Sequence, residues 1–160
     1  MAVDMFLKID AIKGEAHDDK HKGEIDVLSW SWGANQTGTA HLGGGAGAGK
    51  VSVNDLSVTK YIDRSSPLLL QQCFTGKHIK EALLTVRKAG GKALEYIKIK
   101  MEDALIAQVS LGGSGGEDRL TETVAINFSR VKVEYVPQKP DGSGDAAVPF
   151  GYDISKNKEL

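Results

Sequence analysis

Gly44 to Lys50 (GGAGAGK) is the segment of this chain whose spacing comes nearest to catalytic chemistry, because it satisfies the phosphate-loop pattern G-x-x-x-x-G-K. Its context argues against that use. Val51 follows where a serine or threonine would hold magnesium, and the next residues alternate like a strand. No helix N-terminus is then available to face a phosphate. His17 and His21, four apart in HDDKH, would share one face of a helix and could bind zinc. The segment has no apolar stripe and no third ligand nearby, so it reads as an exposed loop, and His41 and His78 read as isolated surface residues. Cys73 sits beside Phe74 on the apolar face of a short helix, which predicts a buried, unreactive thiol. The charges of Gly116 to Arg119 (GEDR) suit a salt bridge better than acid–base catalysis. Trp30 and Trp32 could stack on bases, but no basic groove accompanies them, so they read as core. No catalytic constellation emerges, and neither a cofactor nor a metal is expected.

Composition narrows the classes further. The chain has 160 residues and a formal net charge of −1, which fits one domain spanning 1–160 and gives no cationic surface for nucleic acid. Cys73 is the only cysteine, so an intramolecular disulfide is impossible. The opening MAVDMFLKID lacks a basic region followed by a long apolar run, so a cleaved signal peptide is not expected. No apolar run reaches membrane-spanning length, so membrane insertion is not expected either. The protein is expected to fold in a reducing cytoplasm. Glycine is abundant, at 19 residues, and clustered in loops.

The elements that would position any site are mostly strands. Met5, Leu7 and Ile9 alternate in a first strand. A polar loop, Gly14 to Gly23, precedes the segment Ile25 to Gly33 (IDVLSWSWG), in which Leu28, Trp30 and Trp32 point one way and Val27, Ser29 and Ser31 the other. Val51, Val53, Leu56 and Val58 mark a third strand with a change of face near Asp55. Ser66 is a helix N-cap and Pro67 a first helical residue, with Leu70, Cys73 and Phe74 on one face and Gly76 as terminator. Strands at Leu83–Lys88 and Leu94–Met101 flank a Gly90-Gly91 turn. The second strand continues with odd parity from Ile97 through Leu105, Ala107 and Val109 to Leu111, and should bend near Asp103. After Phe128 the parity switches at Ser129-Arg130, which predicts a bulge or a strand changing sheets at a corner. Val148 to Ile154 is a last short strand. The sum is an all-β fold: an antiparallel β-barrel of about seven strands, closed or nearly so, with one short α-helix packed outside.

Six segments carry a resemblance: MAVDMFLKID, HKGEIDVLSWSWG, GGGAGAGKV, DLSVTKYID, TVRKAGG and GGSGGEDRLTE. Together they are highly specific, and the chain closely resembles, over essentially its whole length, the haemolysin-coregulated proteins, tube subunits of the type VI secretion systems of Gram-negative bacteria. The resemblance implies a β-barrel with an attached helix, assembled as homohexameric rings that stack into a hollow tube. It implies as partners a contractile sheath, a baseplate, a valine-glycine repeat spike, and small effector proteins held in the lumen. It also implies a role in protein transport and virulence, and release from the cell without a cleaved signal. The small-residue face of the tryptophan strand is then a candidate lumen wall, with Ser29 and Ser31 as cargo contacts. Glycine lets backbone approach backbone, so Thr39, His41, Gly43, Gly44, Gly45, Gly47, Gly49 and Lys50 in one loop, and Gly90 and Gly91 in one turn, are candidates for ring-on-ring contact. Two other classes compete: a monomeric β-sandwich binding module for carbohydrate or protein, and a nucleotide-dependent enzyme using Gly44 to Lys50.

Overall fold

A computed structural model describes residues 3–38, 49–89 and 93–160. Eleven strands and one helix follow in chain order: β1 Val3–Ile9, β2 Ile25–Asp26, β3 Ser29–Ser31, β4 Ala34–Asn35, β5 Ser52–Val53, β6 Leu56–Tyr61, α1 Ser66–Thr75, β7 Ile79–Lys88, β8 Leu94–Gly112, β9 Thr121–Tyr135, β10 Val148–Asp153 and β11 Lys158–Glu159. Every strand pairing is antiparallel. The main sheet runs β11-β10-β9-β8-β7-β1-β2, with β6 branching from β9 and carrying β3 on its other side. β4 and β5 form a separate small ladder.

The all-β expectation holds, but the barrel's hydrogen-bonded ladder does not close on itself. The segment from Ile25 to Ser31 spans the gap. It pairs with β1 through Ile25 and Asp26, then with β6 through Ser29 to Ser31. Between these the Val27 amide donates to Met5 and the Leu28 amide to Thr59. Because the segment changes partner midway, it cannot keep one parity. Val27 is buried with the core while Leu28 is exposed, the reverse of the simple alternation. Trp30 and Trp32 do pack against the core, though only partly buried.

A crease crosses three long strands in one row. Lys80, Asp103 and Ser129 lie at equivalent positions of β7, β8 and β9, and Asp103 takes a positive φ of 49°. On β8 the buried residues are Ile99 and Met101 on one side of the crease, Ala104 and Ile106 on the other. The bend expected near Asp103 is therefore present, but Leu105 and Ala107 are not the inward residues. A register shift between Ile106 and Gln108 restores the original parity for Val109. On β9 the change at Ser129-Arg130 carries no register shift. It is the corner where the strand exchanges one neighbour, β6, for another, β10.

The helix is capped by Ser65, one residue before the expected cap, has Pro67 in its first turn, and is closed by Gly76 in the left-handed conformation (φ 65°). It docks through Leu69, which is fully buried. Leu70 and Cys73 are half-buried, and Phe74 is 87% exposed, so the expected apolar face is rotated from the one that packs.

Candidate functional site

Local alternation on β3, β6, β9 and the far end of β8 builds a wall of small polar groups. Trp30, Val58, Val124 and Val109 lie in register across the four strands and turn toward the core. Their neighbours must then turn outward. One outward row is Ser29, Thr59, Thr123 and Ser110, and the next is Ser31, Ser57, Ala125 and Gln108. Ser29, Ser31, Gln108 and Ser110 are exposed, Ser57 and the threonines half-buried, and Ala125 is buried. None of these eight carries a charge. The surface they form offers hydroxyl and amide groups that donate and accept hydrogen bonds on a stiff backbone. Of its members, sequence reasoning singled out Ser29 and Ser31 alone. Ser57 and Thr59 were legible as the off-beat residues of Leu56-Ser57-Val58-Thr59, but only strand order places them beside Ser29 and Ser31.

The opposite side of the same strands holds a buried charged cluster. Lys60 and Glu122 face each other across β6 and β9 and have no solvent exposure at their side chains. Lys60 Nζ pairs with Glu122, lies 3.1 Å from Asp63 Oδ1, and approaches Ser66 Oγ at 3.4 Å. Ser66 Oγ donates to Glu122 at 2.6 Å and accepts from the Asp63 amide at 3.0 Å. This network ties the first turn of α1 to the core side of the sheet.

A second cluster pins the loop between β1 and β2. Arg87 on β7 donates to Asp18 at 2.6 and 2.9 Å and to Asp4 at 3.1 Å. The Arg87 hydrogen bond outweighs what burial does to the carboxyl and holds Asp18 at about 2. His21 stacks on Phe6 with ring centroids 4.4 Å apart. Its Nδ1 lies 3.0 Å from both Glu24 oxygens and its Nε2 2.6 Å from Glu95. Burial pushes Glu95 up, but the bond from His21 prevails and leaves it below its ordinary value. His21 is thus buried in a carboxylate clamp, not on an exposed loop, because β8 supplies Glu95 from 74 residues away.

The remaining candidates settle individually. Thr39, His41, Gly43, Gly44, Gly45 and Gly47, with Gly90 and Gly91, lie outside the described residues. Gly49 and Lys50 are exposed, and the chain beyond them enters β5, not a helix. Cys73 is half-buried, less enclosed than expected, because the helix turns Leu69 inward instead. Within the described residues of one chain Arg119 makes no salt bridge; its guanidinium lies 3.7 Å above the Tyr61 ring, which β6 presents beside the β8–β9 turn. His78 is exposed.

A bent antiparallel sheet with a single docked helix and an uncharged hydroxyl wall defines a strand-built class of protein. The comparisons specify the class. Residues 6–135 match the family model described as "Type VI secretion system effector, Hcp". The chain is 57% identical to Protein hcp1 of Pseudomonas aeruginosa over 159 residues, 98% of each chain. Among solved structures it is similar to Hcp1 from Salmonella typhimurium (45% identity, TM-score 0.82, all of both chains). It is also similar to a structure described as a type six secretion system protein (31% identity, TM-score 0.94, 99% of this chain and 100% of that one). The chain belongs to the Hcp family of the type VI secretion system.

Proposed function

We propose that this chain is the subunit of a type VI secretion inner tube: six copies close a ring, rings stack, and the hydroxyl wall lines the resulting channel. The observation that carries this reading is the row pair Ser29–Thr59–Thr123–Ser110 and Ser31–Ser57–Ala125–Gln108, an uncharged, outward-facing surface on four adjoining strands. A closed ring of one chain needs two different patches of each subunit to meet. The exposed edge of β10 and β11 and the ends of the long bent strands supply candidate patches. Stacking is assigned, from sequence alone, to the loop from Thr39 to Lys50 and the Gly90-Gly91 turn. The partners are further copies of itself, the sheath, baseplate and valine-glycine repeat spike, and small effector proteins held in the lumen. The tube leaves a Gram-negative cell without a cleaved signal, and the role requires no catalysis.

A wall of neutral hydroxyls holds cargo by hydrogen bonds and bridging water, so retention should change little between low and high salt. Negative-stain microscopy of purified protein tests the assembly, with rings as the expected result and a clean monomer at high concentration as the refuting one. Ser31→Trp tests the lumen. Rings should keep their size while a co-expressed effector is no longer retained; unchanged retention would remove Ser31 from the channel.

A further inference from the structure

We propose that the solvent face of α1 is a docking surface for a protein that encloses the tube, one presenting an apolar pocket edged by carboxylates. A surface helix ordinarily turns charged residues to water. Here Ser66 to Thr75 contains no charged residue at all. With Leu69 buried, the face turned to solvent comprises Pro67, Leu68, Gln71, Phe74 and Thr75, all exposed. Leu68 is 40% and Phe74 87% exposed. Depletion of charge around an exposed aromatic is the composition of an interface core, not of a free surface. The end of the helix beyond Gly76 is basic, whereas at its start the Glu15 carboxylate accepts from the Arg64 amide. No Asp or Glu occurs between Arg64 and Lys80, and Lys77 and His78, both exposed, follow directly on the C-cap. That charge calls for carboxylates on the occupant.

The position of the helix selects which occupant. Ser66 reaches Glu122 and Lys60, which point to the core side of β6 and β9. Thr59 and Thr123, their immediate neighbours, point to the other side and belong to the hydroxyl wall. The helix therefore sits across the sheet from that wall, and its free face is directed away from it. If the wall lines the channel, as proposed above, Phe74 faces the outside of the tube, where a sheath would lie; the inference rests on that reading.

The test uses cells carrying the complete apparatus, with Phe74 replaced by the photo-cross-linking residue benzoylphenylalanine. The expected product joins this chain to a sheath subunit. In parallel, purified rings are titrated with purified cognate sheath subunit. Phe74→Ala should weaken binding by about tenfold or more, the loss typical of a central aromatic anchor. Lys77→Glu should weaken it several-fold and flatten its salt dependence, while both variants keep the ring size of the parent. A cross-link to a second copy of this chain, or rings lost in Phe74→Ala, would make the helix a subunit contact and overturn the proposal. So would intact rings whose sheath binding neither substitution changes. A parent protein that forms no rings would instead refute the tube reading and remove the premise.

Discussion

Replacing Lys60 by methionine should be among the most damaging single substitutions in the chain, although Lys60 touches no surface. Its side chain and that of Glu122 are wholly buried, and that of Asp63 is 9% exposed. Lys60→Met leaves Glu122 without its cation in a region from which water is excluded, with only the Ser66 hydroxyl still donating to it. Stranding one member of a buried pair costs about 3–5 kcal/mol. At roughly 2–4 °C per kcal/mol for a domain of this size, Tm should fall by about 6–20 °C. The double variant Lys60→Met, Glu122→Leu removes both desolvated charges and should recover most of that loss, because an apolar pair of similar volume is often neutral or better. Assembly adds its own stabilisation, so all four members of the cycle must be melted at one protein concentration. The favourable coupling would then appear as a double variant far more stable than the two single losses predict. A Lys60→Met loss under about 1 kcal/mol, or a double variant as unstable as the sum of the singles, would refute the account of this cluster as the tie between helix and sheet.

The Arg87–Asp18 contact should leave an acid signature. Asp18 titrates at about 2 in the fold against an ordinary 3.8, so its stabilising contribution is complete above the higher value and disappears as pH falls through the lower. Thermal unfolding followed from pH 5 to 2 should show that loss in the parent chain and a shallower one in Asp18→Asn; identical slopes would dissociate the pair from loop stability. Gly14 admits no side chain, since a Cβ there would lie 2.5 Å from the Glu24 carbonyl oxygen and 2.7 Å from the Ile25 Cα. Backbone atoms of a paired strand cannot swing aside, and Gly14→Ala should cost about 1–3 kcal/mol. Gly38→Ala, with nothing among the described residues within 4 Å of the added carbon, should stay within about 0.5 kcal/mol, both variants being compared with the parent by denaturant titration.

Alternation read strand by strand located β1, β6, β9 and β10 and the corner at Ser129-Arg130, because inside and outside positions of a half-buried strand differ chemically at every second residue. It failed where a strand changes partner. Val27 and Leu28 exchange roles because the chain passes from β1 to β6 between them, and no residue type there announces the handover. The helix was placed to within one residue by its proline and glycine, but not its rotation. Leu68, Leu69 and Leu70 are chemically equivalent in sequence, and only docking against the sheet selects Leu69. Lys60 and Glu122 were legible in principle. Each stands where the alternation of its own strand demands an apolar residue, and their opposite charges invite pairing.

The residues of this chain were enough to establish a curled, helix-poor sheet and membership of a secretion family, since these depend on patterns within a few neighbouring positions. The joining of Ser29 and Ser31 to Thr59, Thr123 and Ser110 depends on strand order. So do the burial of Lys60 against Glu122, the clamp on His21 and the orientation of Phe74. These contacts unite residues up to 74 positions apart, and a contact of that kind exists only when the rest of the chain has folded around it.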